Sequence, residues 1–358
     1  MVALTLFSGV QHPYGARETR ARRAHFWLSL LLALTCLMSL ASGASDISLW
    51  TVLGKLLRAQ ELTRMEHIVL FDIRLPRMVL GICVGAGLAI SGAVMQGLFR
   101  NPLADPGIVG VGAGAGFGAI CAIVLGGFLP VALQAVLGSY LVSGAAFLGG
   151  WWSTILLYRV STRHGRTSVA TMLLAGIALG ALAGAVSGLL VYMADDRQLR
   201  DLTFWGLGSL AGATWGKVLA ALPIIGLALL AALPLGRGLN ALALGEASAA
   251  HLGVAVQRLK SIAILCVAGA TGAAVAVSGG IGFIGIVVPH LLRLATGPDH
   301  QRLLPNVALL GASLLLTADV ISRVVIAPAE LPIGIVTALI GAPVFLWILL
   351  RRSSLVDL

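Results

Sequence analysis

The sequence has 358 residues, of which 58% are hydrophobic and only 11% charged. A soluble domain carries roughly 25% charged residues, so too few polar side chains are present to coat a soluble core of this length. The apolar residues fall in runs of about 20, the length that crosses a bilayer core of ~30 Å as a helix, and the chain reads as an all-α integral membrane protein.

Ten apolar segments follow in order, over residues 25–43, 72–98, 108–127, 130–157, 169–193, 214–234, 259–280, 281–296, 303–327 and 333–350. The eighth is short and interrupted by Pro289, while Pro130, Pro305 and Pro332 stand at segment starts, where a missing N–H costs nothing. Residues 1–24 then form one tail, 25–350 the membrane domain and 351–358 a second tail. Arg20, Arg22 and Arg23 precede the first segment and Ala41-Ser42-Gly43-Ala44-Ser45 follow it. A cleavable signal peptide has this layout, and so has a retained first helix; the retained helix is the expectation taken here.

Placing the N-terminus inside puts fifteen lysines and arginines and five acids on the inner side, and nine of each on the outer side. The formal net charge of +10 is then membrane topology, with both ends cytoplasmic, and not a nucleic-acid footprint. Arg74 and Arg77 break this bias at the outer start of the second segment, where they suit either carboxylates on a soluble partner or lipid headgroups. That segment ends inside at Asn101-Pro102-Leu103, followed by Asp105.

The fifth segment carries Gly176, Gly180, Gly184 and Gly188, one residue type every four positions along a single helix face. Small residues let helix backbones approach closely in lipid. A helix contact inside one subunit is the expected use; a subunit interface or pore wall is the alternative. Between the sixth and seventh segments, residues 235–258 make a mildly polar, helix-prone loop far longer than a turn needs. Asp319 and Arg323, four apart in the ninth segment, share a helix face and are expected to pair. Two stretches resemble each other: Arg74-Leu75-Pro76-Arg77 leads through a glycine-rich helix to Ser91-Gly92, and Arg258-Leu259-Lys260 leads through a similar one to Ser278-Gly279. The first starts outside and the second inside, as two inverted five-helix halves require.

Several chemistries lack their residues. Neither Gly54-Lys55 nor Gly216-Lys217 continues into the serine or threonine of a phosphate loop, so no ATP site of that type is expected. The seven histidines, His251 and His290 among them, show no ligand spacing, and Cys36, Cys83, Cys121 and Cys266 match no metal or redox motif and are expected to pack in the core. No carboxylate pair sits clearly near the bilayer midplane to serve a proton- or sodium-driven carrier.

The chain is similar to the permease family that imports cobalamin, heme and iron–siderophore complexes. The matching motifs are Arg74-Leu75-Pro76-Arg77, Ser91-Gly92-Ala93-Val94-Met95-Gln96-Gly97-Leu98-Phe99 and Asn101-Pro102-Leu103-Ala104-Asp105-Pro106-Gly107. Further on come Leu242-Ala243-Leu244-Gly245-Glu246, Gly282-Phe283-Ile284-Gly285, Val288-Pro289-His290-Leu291-Leu292-Arg293, Glu330-Leu331-Pro332-Ile333-Gly334 and Gly341-Ala342-Pro343-Val344-Phe345.

This resemblance implies the ten-helix architecture of a type II ABC importer permease in the bacterial inner membrane. It implies a homodimer with one path on its two-fold axis, two copies of a separate ATPase that uses ATP and Mg, and a periplasmic substrate-binding protein, with no cofactor held by this chain. It further implies that Gly245, Glu246, Ala247, Ser248, Ala249, Ala250, His251, Leu252 and Gly253 form the coupling helix that meets the ATPase. Arg74, Arg77 and Arg323 would receive glutamates of the binding protein. Asn101, Pro102 and Leu103, with Ser168, Val169 and Ala170, would form the cytoplasmic gate. The stretch from Phe204 to Trp215 resembles the heme-importing branch, which makes heme the expected substrate, ahead of ferric siderophores and cobalamin.

Overall fold

The computed structural model describes residues 13–43, 47–138, 140–163 and 166–356. Residues 1–12 of the expected tail, Ala44 and Ser45 of the small-residue stretch, and Asp357 lie outside them. The described chain is almost wholly helical. In order come α1 (Pro13–Ala41), α2 (Leu49–Leu57), α3 (Arg64–His67), a π-helical turn (Ile68–Arg74) running straight into α4 (Leu75–Leu98), α5 (Val111–Leu125), α6 (Val131–Leu137) and α7 (Tyr140–Ser161). A two-stranded hairpin, β1 (Thr162–Arg163) and β2 (Arg166–Thr167), leads into α8 (Val169–Met193). Then follow α9 (Asp196–Leu207), α10 (Trp215–Ala232), α11 (Gly236–Ala243), α12 (Glu246–His251), α13 (Val256–Ser278), α14 (Ile284–Thr296), α15 (His300–Val324) and α16 (Ile333–Val356).

Eight of the described helical runs are long and apolar enough to cross a bilayer, and Ile284–Thr296 and Ile333–Trp347 supply two shorter apolar helices. Each of the ten expected segments therefore coincides with a helix, but the boundaries move. The second begins earlier, at Arg64, because the π-helical turn lets α3 and α4 run on as one rod. The fourth is broken: α6 ends at Gly138, whose φ of +43° no other residue type adopts cheaply, and α7 starts afresh at Tyr140. The sixth passes through Pro234 and continues to Ala243. Two helices were not expected, α2 and α9; the latter starts with a capping box in which Asp195 and Gln198 bond each other's backbone N–H.

Burial sorts the helices. Within their most apolar stretches, 83% of the α3–α4 rod and 78% of α13 is buried, against 6% of α8. The rod and α13 are the second members of two groups of five, α1, α4, α5, α7, α8 and α10, α13, α14, α15, α16. Because each span reverses direction, they run antiparallel, the relation that two inverted halves require. The sequence repeat falls on them, and α4 and α13 each carry a buried cation near their start, Arg77 in one and Lys260 in the other.

Glycine makes the close approaches. A methyl at Gly92 would overlap the Gly285 carbonyl of α14, one at Gly85 the Gly311 backbone of α15, and one at Gly114 the Gly149 carbonyl of α7. Backbones at this separation gain dispersion contacts that bulkier residues would forbid, which is how helices adhere in lipid. The intrasubunit packing expected of Gly176, Gly180, Gly184 and Gly188 is corrected at the last three: methyls at Gly180, Gly184 and Gly188 meet nothing. The reason is position. The helix α8 lies on the outside of the bundle against α5 and α7, and these three glycines face away from both. Cys83 and Cys266 pack in the core as expected, whereas Cys36 and Cys121 are partly exposed. At α1, Glu18 pairs with Arg302 at 2.6 Å and His25 Nδ1 lies 2.8 Å from Asn306 Oδ1, so this helix is fastened along α15.

Candidate functional sites at the two ends of the bundle

The antiparallel packing of α4 against α15 brings together one end of the molecule. There Arg77 donates to Asp319 Oδ1 from Nε (3.0 Å) and Nη2 (2.8 Å), and to both carboxylate oxygens of Glu330 at 2.9 Å. Arg323 reaches Asp319 Oδ2 at 2.9 Å, the pairing expected from their spacing. It also donates to the Ser39 and Ser42 carbonyls, and Arg74 donates to those of Leu40 and Ile47, so the cluster clasps the end of α1. Asp319 is fully buried and all three arginines are nearly so.

This arrangement differs from the expectation that Arg74, Arg77 and Arg323 stand open to a partner's glutamates. Two of the three already hold internal carboxylates, and the third holds backbone carbonyls. The cluster is a structural clamp across α1, α4 and α15, with Glu330 its most exposed side chain. Sequence reasoning found the Asp319–Arg323 pair from its four-residue spacing but not the Arg77 partners, which lie more than 240 positions away.

The opposite end gathers the other candidate residues. Gly245, at φ +106°, turns the chain into α12, where Glu246, Ala247, Ser248, Ala250 and His251 are exposed and Ala249 is buried. Leu244 and Leu252 flank this helix at 68% and 64% exposure, an apolar pair on a polar end of the molecule. The guanidinium of Arg100, the residue before Asn101, reaches Gly245 at the start of α12. Asn101 Oδ1 accepts from the Leu103 N–H at 3.0 Å, and Asp105 Oδ1 accepts from Gly107 at 2.7 Å, so two side chains shape this turn. Burial raises the Asp105 carboxyl above the ordinary range, and the Gly107 N–H partly offsets it.

Ser168 caps α8, its Oγ accepting from the Thr171 N–H at 3.2 Å. The residue before it is held at both ends of its peptide: the Thr167 N–H donates to Gln257 Oε1 at 2.9 Å, and its carbonyl accepts from Lys260 Nζ at 2.9 Å. Lys260 also pairs with Glu246 Oε1 at 2.7 Å. A lysine inside an apolar segment was the available signal for this residue; its two partners were not legible. At the same end a polar chain runs from Gln96 through Arg293 to His300 and Asn240, joining α4, α14, α15 and α11.

A cavity of about 240 Å³ lies between the Asp105–Gly107 turn, Trp205 and the Gly280–Phe283 turn. It falls below the ~300–1,000 Å³ of ordinary small-molecule sites, so this pocket of one copy would not enclose a large ligand. Among the described residues no cluster of histidine, cysteine and carboxylate side chains is arranged to hold a metal ion.

Comparison with known proteins gives matches along nearly the whole chain. The FecCD transport family matches residues 31–351. The hemin transport system permease protein HmuU of Yersinia pestis is 45% identical over 328 residues, covering 92% of this chain and 95% of that protein. The vitamin B12 import system permease protein BtuC of Klebsiella pneumoniae is 41% identical over 341 residues, covering 94% and 96%. A solved structure described as an inward-facing conformation of a metal-chelate type ABC transporter superposes with a TM-score of 0.80 at 35% identity, covering 92% of this chain and 99% of that one.

Proposed function

Because the chain belongs to the FecCD transport family, we propose that it is the membrane-spanning permease subunit of an ATP-driven importer that carries heme from periplasm to cytoplasm. The observation that supports heme is the 45% identity with a hemin permease over 92% of the chain; a cobalamin permease of Halobacterium salinarum reaches the same 45% over the smaller share of 80%. The heme-like stretch from Phe204 to Trp215 agrees with it. Cobalamin is the second reading, favoured by the several cobalamin (vitamin B12) permeases at 41–45% identity.

The work of transport falls to other polypeptides. The chain has no phosphate loop, and Asp319 is held between the guanidiniums of Arg77 and Arg323 as part of a structural cluster. Residues 245–253 offer a groove-sized helix with Leu244 and Leu252 beside it, and we assign that surface to the ATPase. Residues 101–103 and 168–170 are assigned to the gate. The open glycine face of α8 is assigned to a second copy of this chain, which gives a homodimer with the path between copies. Both termini lie in the cytoplasm on this reading, by the excess of arginine at the α12 end.

The binding protein is placed on the end that carries Glu330. Arg74, Arg77 and Arg323 hold that rim together; for a partner glutamate to reach Arg77 it must displace Glu330. A path walled by glycine and alanine binds its cargo weakly, which favours release.

The test is ATP-driven uptake into proteoliposomes holding the permease, its ATPase and its binding protein, with heme, a hydroxamate siderophore and cobalamin in competition. Heme uptake that depends on ATP is expected. Uptake by the permease without an ATPase overturns the importer reading, and exclusive uptake of cobalamin overturns the substrate.

A further inference from the structure

We propose that Lys260 is the positioning residue that transmits displacement of α12 to the base of α8, an inference that rests on the importer reading above. The warrant is a short hydrogen-bonded path. Glu246, the first residue of α12, is half-exposed on the surface assigned to the ATPase, and its Oε1 lies 2.7 Å from Lys260 Nζ. The same ammonium donates to the Thr167 carbonyl at 2.9 Å. Thr167 is the last residue of the hairpin, and its neighbour Ser168 caps α8. One side chain therefore touches the element that another polypeptide would move and the peptide that begins the gate helix.

Charge makes this link sensitive. Lys260 is 2% exposed, and Glu246 is its one carboxylate partner among the described residues. A buried cation requires a counter-charge or dense hydrogen bonding. If α12 shifts and withdraws Glu246, the ammonium is left with the Thr167 carbonyl and must either follow the carboxylate, drawing Thr167 along, or lose half its partners.

The mechanics agree. The helix that carries Lys260, α13, is mostly buried, whereas α8 is the least buried of the long apolar spans. Within one copy, a displacement applied at this junction costs less when α8 moves than when α13 does. Gln257, one turn before Lys260, accepts from the Thr167 N–H at 2.9 Å, so α13 holds this residue through both its N–H and its carbonyl.

The experiment uses the complete importer in proteoliposomes and reads substrate taken up per ATP hydrolysed. Lys260→Met is expected to lower this ratio at least about fivefold, the low end of coupling between distinct sites, with assembly and unfolding temperature close to those of the unaltered complex. Lys260→Arg, which keeps the charge and both donors, is expected to restore most of the ratio. Glu246→Gln should lower the ratio in the same direction, and the double variant with Lys260→Met should add no further loss.

An unchanged ratio in Lys260→Met, or additive losses in the double variant, overturns the proposal. If Lys260→Met fails to fold, Glu246→Gln and Lys260→Arg decide alone: a normal ratio in the former overturns it. Failure of the importer reading looks different, since the unaltered complex would then show no ATP-driven uptake at all.

Discussion

Replacing Asp319 with asparagine removes one charge and almost no volume. In the native cluster Asp319 and Glu330 balance Arg77 and Arg323, while Arg74 is satisfied by carbonyls. Asparagine can keep its Oδ1 on Arg77 Nε and Nη2, but its amide then points N–H groups at Arg323 Nη2, which sat 2.9 Å from the lost oxygen. Two donors face each other and one buried cation lacks a counter-ion. Removing one partner of a buried ion pair costs about 3–5 kcal/mol, because the remaining charge is stranded.

The exposed pair of Glu18 with Arg302 provides the contrast, since pairs of that kind contribute about 0.2–1 kcal/mol. The assay is unfolding of the purified chain in mixed micelles titrated with a denaturing detergent, followed by helix content. The further arm is Arg323→Met added to Asp319→Asn, which rebalances the cluster to Arg77 and Glu330. The double variant is expected to be more stable than Asp319→Asn alone, with a coupling of about 0.5–3 kcal/mol. If Asp319→Asn unfolds within about 1 kcal/mol of the native chain, the size expected of an exposed pair, or if the two substitutions add, the clamp reasoning is refuted.

Gly92→Ala is expected to destabilise the fold or displace α14, because the new methyl overlaps the Gly285 carbonyl; the same unfolding titration measures it. Gly184→Leu should leave folding of the single chain intact, its side chain entering open space, but weaken self-association read by energy transfer between labelled copies in liposomes. For Asp105, burial raises the folded-state pKa above that of the unfolded chain, so the folded state holds its proton longer. Its contribution to stability is therefore present below the ordinary carboxylate pKa and is lost as pH rises through the raised value; Asp105→Asn should flatten that fall when unfolding is compared between acidic and neutral pH. The purified chain alone should show no ATP hydrolysis above background, measured as phosphate release.

The membrane class, the ten apolar segments and the helix between the sixth and seventh spans were legible in the sequence because each is a local property. Segment length follows from bilayer thickness, and a polar helix between two spans announces itself by composition. The Asp319–Arg323 pair was legible for the same reason: helical periodicity puts residues four apart on one face. Even the inverted halves left a trace, in the matching starts of α4 and α13.

What the sequence could not decide was which apolar surface meets which. Gly92 and Gly184 are the same residue in equally apolar helices, yet one is pressed on a carbonyl of α14 and the other faces open space. Arg77 read as a cation waiting for a partner, and only the antiparallel packing of α4 on α15 disclosed that Asp319 and Glu330 already hold it. Lys260 stood inside an apolar segment as a lone cation, and only the fold set Glu246 and Thr167 beside it. In lipid every helix face is apolar enough to be buried, so hydrophobicity, which sorts inside from outside in water, loses its power to sort here. Shape and the satisfaction of the few buried charges take over that task, and both are properties of the assembled tertiary structure.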